Sequence, residues 1–151
     1  KFIASRLGIS APEDKGVANP NALLLSNAAF EAVAKIGWPE GLIPLAEATV
    51  YLATSPKSNS AYMAINSAID LVRRTGNLPV PLPIRNAPTK LMADLGYHDG
   101  YKYPHDYPDN FTPQQYLPDE IQNEILWHPC SNAAENRSHE RMNAFWPERK
   151  R

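Results

Sequence analysis

Between Arg85 and Ile121 the chain reads RNAPTKLMADLGYHDGYKYPHDYPDNFTPQQYLPDEI, and this stretch rules out more structures than any other. It holds five of the seven tyrosines, at 97, 101, 103, 107 and 116, with prolines at 88, 104, 108, 113 and 118. Proline lacks a backbone donor and fixes φ, so no continuous helix can run from Pro104 to Pro118. Disordered segments are poor in aromatics, and here each proline stands near a large ring. Such rings bury large apolar areas once their hydroxyls find partners. The stretch therefore reads as an ordered, aromatic-pinned loop that straps onto a helical body.

The rest of the chain supplies that body. Phe2, Ile3, Leu7 and Ile9 read as the last turns of a helix ended by Gly8 or Gly16, followed by a loop from Pro12 to Pro20. Asn19 then caps a helix with Pro20 in its first position, and Gly37 stops it. In that helix Asn27, Glu31 and Lys35 form one narrow polar stripe, and nearly everything else is apolar. A helix apolar over so much of its surface must be covered on more than one side, which singles out Leu24, Leu25 and Phe30 as interface candidates. Leu42–Thr54 is the next helix, with Leu45, Ala48 and Leu52 facing inward and Glu47 and Thr54 at the solvent edge. Ser58 or Asn59 caps a third helix that Gly76 terminates, and these two helices are expected to pair as an αα-hairpin. Its apolar positions Tyr62, Ile65, Ile69 and Val72 have helical spacing, and Asp70 can pair with Arg73 or Arg74.

Leu78 to Ile84 reads as an extended strap, and Pro88 to Leu95 as a short helix closed by Gly96. Gln115–Leu117 and Ile125–Trp127 are β-prone and are expected to pair as one small ribbon. A last helix starts near Asn132, with Glu135 three residues on completing a capping box, and runs to about Phe145. Only Met142, Phe145 and Trp146 look able to dock it. The predicted fold class is all-α: a bundle of five or six helices with a long Pro/Tyr-rich loop.

A chain of 151 residues is one domain on length grounds, spanning 1–151. Its net charge of −1 gives no basic field to recruit nucleic acid. No apolar run reaches membrane-spanning length, so no membrane partner is expected. The single cysteine, Cys130, excludes an internal disulfide and fits a reducing cytosol. The chain opens at Lys1 without Met and already inside a helix, which reads as a piece of a longer protein.

The sequence APTKLMADLGYHDGYKYPHDYPDNFTPQQYLPDEI resembles the C-terminal region of the bacterial MgsA/RarA replication-associated recombination ATPases and of their eukaryotic relative, the Werner-helicase-interacting ATPase. The resemblance continues through PEDKGVANPNAL, IGWPEGLIPLAEATVYLATSPKSNSAY and PVPLPIRNAPTKLM, covering about Ile9 to Pro129. It departs from the family pattern at Pro12, Lys15, Asn19 and Ala133–Ala134. The resemblance implies a domain similar to the clamp-loader collar, whose own job is assembly into a homotetramer. It also implies a whole protein that is a cytoplasmic, nucleoid-associated, DNA-dependent ATPase at stalled replication forks, contacting DNA and replication proteins. ATP and Mg would then belong to an AAA+ module upstream.

Chemistry within the chain itself is sparse. A phosphate-cradling Gly-x-x-x-x-Gly-Lys-Ser/Thr loop is missing, because the seven glycines are scattered. No catalytic, cofactor-binding or metal residue is therefore assigned, and the chain alone is not expected to be an enzyme. His98, Asp99, His105, Asp106 and Asp109 could suggest a Zn or Mn hydrolase, but their spacing is irregular, and Asp106 and Asp109 serve equally as turn residues. His128-Pro129-Cys130 lacks the base and orienting group that a reactive thiol needs. The loop tyrosines Tyr101, Tyr103, Tyr107 and Tyr116 can anchor the loop or stack the bases of a single strand. Six acids from Asp94 to Glu120 oppose phosphate contact there. The alternative function is thus a nucleic-acid or replication-partner binding module using this loop.

Overall fold

The computed structural model describes residues 2–148. Among them are six α-helices and no strand, so the all-α expectation holds. They are α1 (Phe2–Ser10), α2 (Asn21–Ile36), α3 (Leu42–Thr54), α4 (Ser60–Thr75), α5 (Lys90–Asp94) and α6 (Ala133–Phe145). No helix is long and apolar enough to cross a membrane among the described residues. The chain divides into two compact units, one from Lys1–Ile69 with Leu126–Arg141, the other from Asp70–Ile125 with Met142–Arg151.

In the first unit, α2 packs on α1 and α3. Ala4, Val33 and Leu45 form one buried cluster, with Leu7 and Phe30 against it. Ala11, Ala22 and Leu52 form a second, with Leu7 and Tyr51 against it. Small side chains at the crossings, Ala48 fully buried among them, let the helix axes approach. Leu45, Ala48 and Leu52 face inward as their spacing predicts. The αα-hairpin does not form, because α3 packs on α2 instead. The connector after α3 diverts the chain: the Ser58 N–H donates to the Asp14 carbonyl at 2.7 Å, which ties the start of α4 to the turn after α1.

That turn is also more ordered than expected. Instead of a loop from Pro12, a wide π-type turn spans Ala11–Lys15 and a 3-10 turn spans Gly16–Ala18. Pro12 falls where α1 passes straight into this wider turn; having no N–H, it cannot continue the regular α-helical bonding there. Gly16 closes the π-turn at φ 43 and lies against the Ser58 carbonyl, where a Cβ would approach to 3.2 Å. Asn19 does not cap α2. Its Nδ2 donates to Ser55 Oγ at 2.8 Å and its Oδ1 accepts from the Tyr51 hydroxyl at 3.1 Å. The buried Lys15 ammonium donates to the Ser55 carbonyl at 3.3 Å, placing a cation at the C-terminal end of α3, where the helix dipole favours it.

The start of α6 belongs to this unit, and its capping box is present with an altered reach. The Asn132 Oδ1 accepts from the Glu135 N–H at 3.0 Å, while Glu135 Oε2 accepts from the Cys130 N–H at 2.6 Å, two residues before the cap. Glu135 is 1% exposed. Burial pushes its carboxyl up, but Ser58, the Cys130 N–H, Asn132 and Ser60 together outweigh that and hold it below the ordinary glutamate value. The Ser58 hydroxyl donates to Ser60 Oγ at 3.1 Å, and the Trp127 indole donates to the same oxygen at 2.9 Å.

In the second unit, α5 is capped by the Thr89 hydroxyl, which accepts from the Met92 N–H at 3.3 Å, and Gly96 closes it at φ 80. Arg85 donates to the Tyr97 hydroxyl at 3.3 Å with its guanidinium 5.0 Å from that ring. Phe111 stacks on Phe145 at 4.4 Å and meets Trp146 edge-on at 5.3 Å. The ribbon expected at 115–117 is absent. Gln115 Nε2 donates to the Leu117 carbonyl at 3.0 Å and to Asp119 Oδ1 at 2.7 Å, and Asp119–Ile121 turns immediately after. A segment whose acceptor is satisfied by its own side chain offers less to a partner strand.

Candidate functional site

The loop is built from a tandem four-residue unit, Tyr103-Pro104-His105-Asp106 and Tyr107-Pro108-Asp109-Asn110. A residue before proline is driven to extended backbone, and both tyrosines are extended, at φ −76, ψ 114 and φ −117, ψ 155. Each proline then opens a 3-10 turn, Pro104–Asp106 and Pro108–Asn110. The turns close by Asp106 N–H to Tyr103 O and Asn110 N–H to Tyr107 O, both at 3.1 Å. Asp109 and Asn110 take left-handed φ of 56 and 53, a region that short polar side chains tolerate. Each unit sets an extended tyrosine at its head and closes by the same hydrogen bond, but only the second turns through left-handed residues.

The result is a cleft of about 640 Å³ within the second unit, lined by Tyr101, Tyr103, Tyr107 and Tyr116 together with His98, Lys102 and Asp106. All four loop tyrosines singled out from sequence meet there. Tyr101 is half-buried and stacks on His98 at 4.7 Å between ring centres. His98 has a left-handed φ of 67, and its N–H donates to the Leu82 carbonyl at 3.0 Å. Tyr103, Tyr107 and Tyr116 are 53%, 39% and 45% exposed. His105 Nδ1 lies 3.2 Å from Asn110 Oδ1, and its ring is 5.1 Å from that of Tyr103. Among the described residues no three of His, Cys, Asp and Glu gather as metal ligands would.

The helical candidates lie in the first unit and divide. Phe30 packs against the core cluster and Leu25 is half-buried. Leu24 is 68% exposed, and Leu23, Ile36, Leu42, Ile43 and Val50 are exposed with it. Cys130 Sγ sits 3.9 Å from Asn59 Oδ1, and the adjacent His128 is exposed. Sequence reasoning missed the buried carboxylate and serine cluster around Glu135. The capping spacing marks Glu135, but nothing in the sequence brings Ser58 and Ser60 to it.

The fold and its turn-built aromatic loop define a class first: an all-helical domain that carries a tyrosine-lined cleft on one unit and uncovered apolar helix residues on the other. The family model described as "MgsA AAA+ ATPase C terminal" matches residues 1–146, and the chain belongs to that family. It is 39% identical, over 95% of its length, to the replication-associated recombination protein A of Coxiella burnetii, of which it covers 33%. It is 41% identical, over 84% of its length, to the protein of the same name in Bacillus subtilis, covering 30% of it. It is 40% identical, over 82% of its length, to the ATPase WRNIP1 of Dictyostelium discoideum, covering 14% of it. The chain thus spans a third or less of the length of these relatives.

Proposed function

We propose that this domain assembles a DNA-dependent AAA+ ATPase into a homotetramer that acts in replication-fork maintenance and recombination. The family supports an ATPase context, since the matching model is the C-terminal part of an AAA+ ATPase and the relatives are named for replication-associated recombination. On this reading ATP and Mg bind in the upstream module, DNA and replication proteins engage the full-length protein, and the protein is cytoplasmic and nucleoid-associated. The observation that carries the assembly role is the outward apolar surface of α2 and α3, with Leu24 at 68% and Ile43 at 71% exposed. A contiguous apolar patch of several hundred Å² marks an interface more often than free solvent. Sedimentation of the full-length ATPase tests it. Leu24→Glu and Ile43→Glu are expected to lower the assembly state; an unchanged tetramer in the double variant defeats the proposal.

A second reading, a partner-binding module, is favoured by one observation: four tyrosines converge on a single open cleft.

A further inference from the structure

Two buried clusters fix how the first three helices run. Ala4, Val33 and Leu45 meet in one, and Ala11, Ala22 and Leu52 in the other. The start of α1, the end of α2 and the start of α3 therefore share one end of the first unit. Each helix adds exposed apolar side chains within about one turn of the Ala4 cluster: Phe2 and Ile3, Ile36, and Leu42. Trp38, in the bend that crosses this end, is 58% exposed, and Phe2 is 79% exposed. Single exposed apolar residues are ordinary, but a group gathered at one end calls for a cover. The matching family is the C-terminal part of an AAA+ ATPase, so in the proposed ATPase context the rest of the protein lies ahead of this domain and joins it through the start of α1. That junction falls at the same end as the apolar group. A segment tethered there meets it at an effective concentration on the order of millimolar, whereas a second copy meets it only at its solution concentration. We propose that the segment immediately ahead of this domain in the full-length ATPase folds back on this end through an apolar face, against Phe2, Ile3, Ile36 and Trp38. The inference rests on that ATPase context. Ile36 and Leu42 also belong to the exposed surface of α2 and α3, so Phe2, Ile3 and Trp38 are the residues that tell a cover by the same chain from self-association.

Thiol labelling tests it. Ile3→Cys and Trp38→Cys are made separately in the full-length ATPase and in the 151-residue chain; both side chains replaced are exposed, so the fold is kept. Labelling with a small maleimide is read peptide by peptide by mass spectrometry, and Leu24→Cys serves as the comparison on the self-association surface. Thiols at the Ile3 and Trp38 positions are expected to label about tenfold more slowly in the full-length protein, as an end covered roughly nine-tenths of the time would. The slowing should persist when the protein is diluted to the monomer, followed by sedimentation of the same samples, because the cover belongs to the same chain. A thiol at the Leu24 position should be slowed only where chains associate. Failure of the assembly reading therefore shows there and leaves the other two positions unaffected. Adding Phe2→Glu to full-length Trp38→Cys should return labelling to the rate in the 151-residue chain, with the sedimenting mass unchanged. Equal rates in the two proteins at the Ile3 and Trp38 positions overturn the inference, as does slow labelling that survives Phe2→Glu. Slowing that disappears on dilution overturns it too and assigns this end to another copy.

Discussion

Glu135 concentrates what a single residue does in this fold. Its carboxylate is nearly out of solvent and accepts from the Cys130 N–H beside the Ser58 and Ser60 hydroxyls. A buried donor left without its acceptor costs about 1–3 kcal/mol, so Glu135→Ala is expected to destabilise by about that much in a urea titration. An unchanged midpoint would show that the carboxylate is dispensable. The pH dependence has a definite sign. Because the folded-state pKa is lowered, the unfolded chain binds the proton first as pH falls. The stabilisation is therefore fully present above about pH 4.3, the ordinary glutamate value, and is lost as pH drops through the lower folded value. Wild type should lose more stability than Glu135→Gln between about pH 5 and pH 3; parallel losses would assign the acid sensitivity elsewhere. The spacing of Asn132 and Glu135 made the cap legible in sequence. The cluster was not, since Ser58 and Ser60 come to it from distant positions.

At the scale of elements, local chemistry decided most boundaries. Gly37 and Gly76 end α2 and α4 at φ 79 and 69, as their positions predicted. Pairing between elements was harder to read. Nothing in the composition of α3 and α4 distinguishes a hairpin from two helices that turn to other partners; in the structure α3 packs on α2 and the Ser58 N–H bonds the Asp14 carbonyl. Similarly, β-prone residues at 115–117 yield to a glutamine that satisfies its own neighbours. The tandem tyrosine–proline turns explain why the aromatic loop is regular although it is neither helix nor strand. In the bend between α2 and α3, the Gly41 N–H bonds the Gly37 carbonyl at 2.7 Å. A Cβ on Gly41 would lie 2.5 Å from that carbonyl oxygen, and backbone on both sides cannot yield cheaply. Gly41→Ala is expected to destabilise by about 1–3 kcal/mol, while Gly8→Ala, with nothing within 4 Å of its Cβ, should not destabilise. Equal denaturation midpoints for the two variants would refute the steric argument.

For the molecule as a whole, the physical question is where the apolar surface of the first unit goes. The narrow polar stripe of α2 predicted more apolar surface than one small domain covers. In the structure Leu23, Leu24 and Ile36 of α2 and Leu42, Ile43 and Val50 of α3 are between 47% and 71% exposed. Monomers rarely leave a patch beyond a few hundred Å² uncovered, and identical chains cover such surfaces by closed symmetry. This exposed surface is the ground on which self-association is proposed, whereas the number four rests on the family resemblance. If association buries this surface only in the folded state, mass action ties stability to protein concentration. The melting temperature of the isolated chain is then expected to rise as its concentration increases through the micromolar range, and the light-scattering mass to exceed the monomer value of 16.8 kDa. Leu24→Glu should flatten the concentration dependence without unfolding the chain, because the side chain it replaces already faces solvent. A mass fixed at 16.8 kDa with a concentration-independent melting temperature would refute self-association, and a stable dimer would withdraw only the tetramer.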